Sequence, residues 1–327
     1  MKKISVLIVL AVFFGFSQET RAQELSGIPG SFVDIGFGTR PVGMGFAFVG
    51  LADDENSTYW NPAGLSQTLE YKAGFSQIDQ LGLITYNYGT ILIPLPIKGH
   101  SVGVSVISSG DDAMQELSVH AGYGFRVNMV SLGIGLKYRN ASFGNNTLNR
   151  DDYTVFDDDE ITIGLGQQVY GDASGYGVDL GLMIHPTEEI QFGVLLRDVW
   201  APINWNSKAR SMGYTARGKY EEGLPMEVIF GSSFIVNKNI LLVGDYQPGL
   251  TDDRTNWVRV GIEGRLVHIL MLRAGTEQGI NDLDDDRITL GTGLDLNLGG
   301  KLRLQADFAY VIDPIQDSQR ISFSISF

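Results

Sequence analysis

From residue 69 onward, apolar and polar residues alternate with a period of two. In Ser131 to Arg139, Leu132, Ile134, Leu136 and Tyr138 fall on one face, and Ser131, Gly133, Gly135, Lys137 and Arg139 on the other. In Lys301 to Tyr310, Leu302, Leu304, Ala306, Phe308 and Tyr310 oppose Lys301, Arg303, Gln305 and Asp307. A period of two is the signature of a strand with two unlike faces. It predicts about fourteen strands, near 70–78, 83–94, 100–109, 115–126, 129–142, 174–185, 188–199, 226–236, 239–247, 256–266, 268–277, 286–298, 301–312 and 320–327. The last ends the chain with Ile321, Phe323, Ile325 and Phe327 against Ser322, Ser324 and Ser326.

The connections between these strands alternate in length. Short turns follow the even strands: Pro96 to Gly99, Arg126 to Asn128, Pro186 to Glu188, Asn237-Lys238, Leu266-Val267 and Gly299-Gly300. Connections after odd strands are mostly longer, notably 143–173 and 200–225. An even strand number, an apolar outer face and this asymmetry describe a transmembrane antiparallel β-barrel with periplasmic turns and extracellular loops. The parity puts both mature termini on the periplasmic side. A closing strand that ends on a carboxy-terminal Phe, here Phe327 with Phe323 on the same face, is the expected signal for the barrel assembly machinery.

The first residues change the picture from sheet to exported sheet. Lys2-Lys3, the apolar run Ile4 to Phe16 and the small residues around Thr20-Arg21-Ala22 read as a signal peptide over 1–22, cleaved before Gln23. The apolar run is too short to span a bilayer as a helix, which takes about 20 residues. The organisation is therefore a signal peptide at 1–22, an N-terminal hatch at 23–68 and an outer-membrane barrel at 69–327.

Composition narrows the partners. The net charge of −14 excludes nucleic acid, whose backbone needs a basic face, and a polybasic attachment to anionic lipid. With no cysteine, disulfides, thiolate metal sites and a lipoprotein anchor are all excluded. Acidic runs fall in the outward connections: Asp111-Asp112, Asp151-Asp152, Asp157 to Glu160, Asp252-Asp253 and Asp284 to Asp286. These read as solvated loops. Asp282-x-Asp284-x-Asp286 lacks the Gly and closing Glu of a calcium loop, so no metal or cofactor is expected.

Charge on the inner face is the next feature. Lys137, Arg139, Asp179, Arg197, Arg259, Glu263, Arg265, Arg273, Asp295, Arg303 and Asp307 point inward by parity. A polar barrel interior tolerates such groups when they pair with each other or with a plug. Glycines on the same face, among them Gly133, Gly181, Gly261, Gly275 and Gly291, leave room for one. The aromatics Tyr71, Tyr86, Tyr88, Tyr123, Tyr138, Phe192, Phe230, Trp257, Phe323 and Phe327 are assigned outward, as interfacial girdles. Trp200, Trp205 and Tyr214 lie in the long 200–225 connection, where they could cover the lumen mouth. The four histidines, His100, His120, His185 and His268, form no Ser/His/Asp grouping on the strand pattern, so no enzyme is expected.

Residues 23–68 do not alternate. They hold Gly36 to Phe48, with Gly43-Met44-Gly45, and Ala52 to Leu65, with Tyr59-Trp60-Asn61-Pro62-Ala63-Gly64. Asp53 or Asp54 is placed to cap a short helix that stops by Asn61, because Pro62 disfavours the α region at the residue before it. Met44, Phe46, Phe48, Tyr59 and Trp60 need burial, and the lumen is the nearest place for it. Gly38 to Phe48 and Tyr59 to Leu65 resemble the PorV/PorQ family of outer-membrane proteins, related to the long-chain fatty-acid transporter (FadL-like) barrels. The resemblance covers roughly residues 30–66. It implies a hatch motif at Gly43, Gly45, Asn61, Pro62 and Ala63 inside a fourteen-stranded barrel. It also implies one of two non-enzymatic roles. The first, to which the Gly-Met-Gly and Tyr-Trp-Asn-Pro-Ala-Gly-Leu wording points, is a type IX secretion component with translocon or cargo partners; the alternative is transport of hydrophobic small molecules (long-chain fatty acids or hydrocarbons) across the outer membrane.

Overall fold

A computed structural model describes residue 32 and residues 35–80, 84–110, 114–144, 169–211, 214–251, 254–267, 269–280 and 286–327. The predicted signal peptide with its cleavage position, nearly all of 23–34, His268 and the acidic runs other than Asp286 lie outside the described residues.

Sixteen strands form one antiparallel sheet: β1 (Lys72–Gln80), β2 (Ile84–Pro94), β3 (His100–Gly110), β4 (Met114–Val127), β5 (Val130–Phe143), β6 (Val169–Ile184), β7 (Ile190–Trp200), β8 (Pro202–Ser211), β9 (Tyr214–Gly223), β10 (Glu227–Asn237), β11 (Ile240–Gln247), β12 (Trp257–Val267), β13 (Leu270–Gly279), β14 (Arg287–Leu298), β15 (Leu302–Ile312) and β16 (Ser318–Ser326). Fourteen of them close a ring, because β1 pairs with both β2 and β16 and β7 pairs with β10. Closure leaves the fourteen-stranded ring itself without an open edge. At the seam Lys72 pairs with Ser326 and Phe75 with Phe323, and Tyr71 and Phe327 exchange two backbone hydrogen bonds of 3.0 Å.

The strands β8 and β9 are where sequence and structure part. The 200–225 stretch, expected as a loop, is a hairpin. β8 continues β7 beyond Ala201 and pairs with the distal half of β6, Gly175 with Ile203 through Val169 with Ala209. β9 returns beside β8 and leads into β10. The wall therefore projects on the side of the long connections, hereafter the loop end; the opposite end is the turn end.

The outward face is apolar: Leu132, Ile134, Leu136, Phe192, Val260, Leu290 and Ile321 are all exposed. Three outward assignments are corrected. Tyr86 and Tyr88 are 5% and 1% exposed and point into the lumen. β2 mixes apolar and polar residues on both faces, so alternation there does not choose a side; the aromatic hatch does. Trp257 shares the parity of Arg259 and Glu263, hence the lumen face. Trp200 is exposed, whereas Trp205 is buried against Phe32 and Phe143 with its indole N–H on Glu222 at 2.8 Å.

Candidate functional site: the hatch and the lumen wall

The hatch is held in irregular structure by short-range polar bonds. The helix α1 (Thr39–Gly43) is a single turn, and α2 (Ser57–Trp60) another, followed by a 3-10 turn at Pro62–Gln67. The expected Asp53 or Asp54 cap is replaced by a tighter device: Asp54 Oδ1 accepts the Asn56 backbone N–H at 2.9 Å, a turn just ahead of α2. Asn61 is extended and ends α2, and its Oδ1 accepts the Ala63 N–H at 3.1 Å. Its Nδ2 donates to the Val49 carbonyl at 2.9 Å, tying the two halves of the hatch together. Trp60 Nε1 donates to the Phe37 carbonyl at 2.7 Å.

Apolar burial fixes this segment in the barrel. Phe37, Val42, Met44, Phe46, Phe48, Tyr59 and Trp60 form one cluster with Tyr86, Tyr88 and Met183 of the wall. Each fully buried side chain of this size contributes about 1.5–3 kcal/mol. Phe37 packs edge-on to Tyr59 at 5.2 Å, and Tyr59 stacks on His120 at 5.8 Å.

Close approach of hatch to wall depends on glycine. Gly45 has φ of 67° and its missing Cβ would meet Val260 O and Thr276 N at 2.5 Å. A Cβ at Gly133 would lie 2.2 Å from Ala63 N. Gly43 rests on Gly291, Met44 on Gly261 and Asn61 on Gly181. The motif positions Gly43, Gly45, Asn61, Pro62 and Ala63 are among the points where hatch and wall come close, and Val49 and Gly50 lie equally near Gly193 and Gly231.

The lumen charges separate into groups. Arg40 of the hatch binds Asp53 at 2.5 Å, Asp54 at 3.0 Å and Glu263 of β12 at 2.9 Å. Arg273 joins Glu263 to Asp307, both at 2.6 Å. On the far side Lys137 lies 2.8 Å from Asp179 and 3.2 Å from Asp198, and Arg139 reaches Asp198 at 2.9 Å. Arg197 pairs with Glu227 and covers the Tyr59 ring at 5.1 Å. Nearer the loop end Arg259 and Arg287 share Glu277. Arg303 binds Asp295 at 2.6 Å; Arg265 is largely exposed, 3.8 Å from the same carboxylate. Within the hatch, burial and the neighbouring Asp54 charge raise the Glu55 carboxyl to about 7.

Several residues that matter here are not among the inward charges named from the sequence. Asp198 belongs to the lumen through a bulge: Val178 pairs with Trp200 and Leu180 with Leu196, so three residues of β7 oppose one of β6. Asp198 sits at φ 54°, and Asp179 accepts its backbone N–H at 2.8 Å. Asp245 accepts the Phe48 and Val49 N–H groups at 2.8 and 2.9 Å. Arg320 donates to the Gly36 and Ile35 carbonyls beneath the Phe46 ring. A Ser–His contact absent from the strand pattern also exists. Ser131 Oγ lies 3.2 Å from His185 Nε2 and 3.0 Å from Ser66 Oγ. It fastens the turn end of the hatch to β5 and β6; Ser131 is fully buried.

No protein-family model matches the chain, and no curated protein matches it in sequence. Solved structures do. The monoaromatic hydrocarbon channel CymD aligns over 89% of this chain and 97% of its own, with a TM-score of 0.59 at 15% identity. The Pseudomonas putida toluene transporter TodX aligns over the same shares with a TM-score of 0.58 at 13% identity. A Pseudomonas aeruginosa FadL homologue covers 88% of this chain and 97% of its own, TM-score 0.59, at 13% identity. At this identity the likeness establishes the fold, that of the outer-membrane FadL-type barrels.

Proposed function

We propose that the chain is an outer-membrane channel for hydrophobic small molecules, gated by displacement of its hatch. The observation that carries the reading is an aromatic plug, bonded to the wall by ion pairs rather than by a covalent link, in a barrel whose solved neighbours include a hydrocarbon channel and a toluene transporter. Such a plug blocks the lumen to polar solutes, yet its apolar surface and separable contacts suit passage of a small apolar molecule. The hatch-motif residues Gly43, Gly45, Asn61, Pro62 and Ala63 set its resting position, and the lumen charges Arg139, Asp179, Arg197, Arg259, Glu263, Arg303 and Asp307 hold wall and plug in register. The type IX secretion role implied by the resemblance rests on the wording of residues 30–66, and the named solved neighbours lie on the transport side. Mature residues from Gln23, the three-part organisation and assembly through Phe327 belong to the same reading.

The test uses the absence of native cysteine. Gly43→Cys with Gly291→Cys places two thiols where hatch and wall backbones meet. Uptake of a radiolabelled monoaromatic hydrocarbon by cells should fall when the pair is oxidised and return with reductant. Uptake equal to that of a deletion strain under both conditions would remove the transport reading. Lost cargo export with intact uptake in the deletion strain would replace it with the secretion role.

A further inference from the structure

The lumen face of the closing seam is built from small residues. Ser76 of β1 pairs with Ser322 of β16 on one side and with Tyr88 of β2 on the other, and Gly74 pairs with Thr90. The hatch does not fill the space they leave. A cavity of about 10 Å³ remains between hatch and wall, bounded by Arg40, Asp54, Glu55, Ser76, Tyr88 and Asp307 among others. That is room for one water-sized species. The Glu55 side chain reaches the seam: a Cβ at Gly74 would stand 3.1 Å from its Oε1.

Two observations converge on this cavity. Negative charge is in excess around it. Asp53, Asp54, Glu263 and Asp307 already engage Arg40 and Arg273, while Glu55 has only the more distant Lys72. The cavity lining itself holds three carboxylates, Asp54, Glu55 and Asp307, and one cation, Arg40. Next, two hydroxyls lining the cavity, Ser76 Oγ and Tyr88 Oη, have no hydrogen-bond partner among the described residues, although each residue is only 1% exposed. Buried hydroxyls without partners are uncommon and costly. Asp54 and Asp307 are taken up by Arg40 and Arg273, which leaves Glu55 and neutral oxygens as the remaining donors, a hard set of low charge unlike the several carboxylates of a divalent site.

We propose that this cavity is a sodium site, in which Glu55 and the Ser76 and Tyr88 hydroxyls hold one dehydrated ion between the hatch and the β1–β2 wall. The ion supplies the missing positive charge and gives both hydroxyls a partner for their lone pairs. Because Ser76 stands on the first strand, opposite Ser322 on the last, bound sodium couples hatch position to the closing seam. This assignment stands apart from the question of what the channel carries.

The experiment is amide hydrogen exchange of residues 53–60 in the purified full chain in detergent at pH 8. Sodium chloride is titrated against choline chloride at constant ionic strength. Exchange should slow as sodium rises, by about tenfold at ten times the half-saturating concentration, and choline should have no effect. Glu55→Gln removes the charge and should exchange slowly with no sodium dependence. Tyr88→Phe and Ser76→Ala should each raise the half-saturating concentration. Equal exchange of the unsubstituted protein in both salts overturns the site, as does sodium dependence that survives Glu55→Gln. If Glu55→Gln does not fold, Tyr88→Phe decides: an unchanged half-saturating concentration overturns it.

Discussion

At the scale of single residues, Asn61 and Glu55 show how much of the hatch rests on one side chain. Asn61 bonds Ala63 N–H, the Val49 carbonyl and, at 3.5 Å, the Leu182 carbonyl of the wall. Asn61→Ala leaves a buried carbonyl and a turn N–H unsatisfied, at a cost of about 1–3 kcal/mol. Its expected sign is faster proteolysis of the hatch in an assembled barrel whose wall stays intact. Glu55 sets a pH dependence. Its folded pKa of about 7 stands above the unbound 4.5, because burial and then Asp54 oppose its charge. Between those values the folded state binds more protons than the unfolded one, so stability falls as pH rises from 4.5 to 7 and levels off above. In sodium-free buffer the hatch should therefore be held better at pH 5 than at pH 8, measured by protease protection. Glu55→Gln should remove this contribution to the difference.

At the scale of elements, the bulge in β7 and the closing strand are the informative pieces. The bulge turns Asp198 inward to meet Lys137 and Arg139, at a backbone conformation that Asp and Asn adopt more readily than most residues. Asp198→Ala strands Arg139 without its carboxylate and weakens the hold on Lys137. Removing one partner of a buried pair costs about 3–5 kcal/mol. Asp198→Asn keeps the backbone preference and should lose less; thermal unfolding of the two variants ranks them. Closure of the ring depends on β16. Phe327 stacks on Tyr71 at 5.6 Å and exchanges backbone bonds with it, whereas Ser326 presents a small lumen side chain. Deleting Phe327 should lower the amount of assembled barrel far more than Ser326→Ala, read as the fraction of folded protein on unboiled gels.

At the scale of the whole molecule, the apolar outer face and the closed ring call for a membrane. The folded protein should fractionate with outer membrane and migrate as a compact species in SDS without boiling. Recovery from the soluble periplasm would contradict the lipid-facing assignment of Leu132, Leu136 and Leu290.

Alternation by itself determined the strand count of the ring, most boundaries to within a few residues, and, for most strands, which face is apolar and turned outward. The physical reason is local: a strand side chain chooses one of two sides, and lipid and lumen select opposite chemistry. Even the glycines opposite the hatch were legible as space. Three things only the tertiary structure decided. Tyr86 and Tyr88 face inward because the aromatic hatch offers them a partner that β2 itself does not announce. Residues 202–211 and 214–223 form paired strands because β6 extends far enough to pair with β8, a long-range event without local signature. Asp198 enters the lumen because a bulge reverses the parity that alternation assigns it. In each case the outcome depends on a partner outside the strand itself, and a pattern read along one strand holds no record of that.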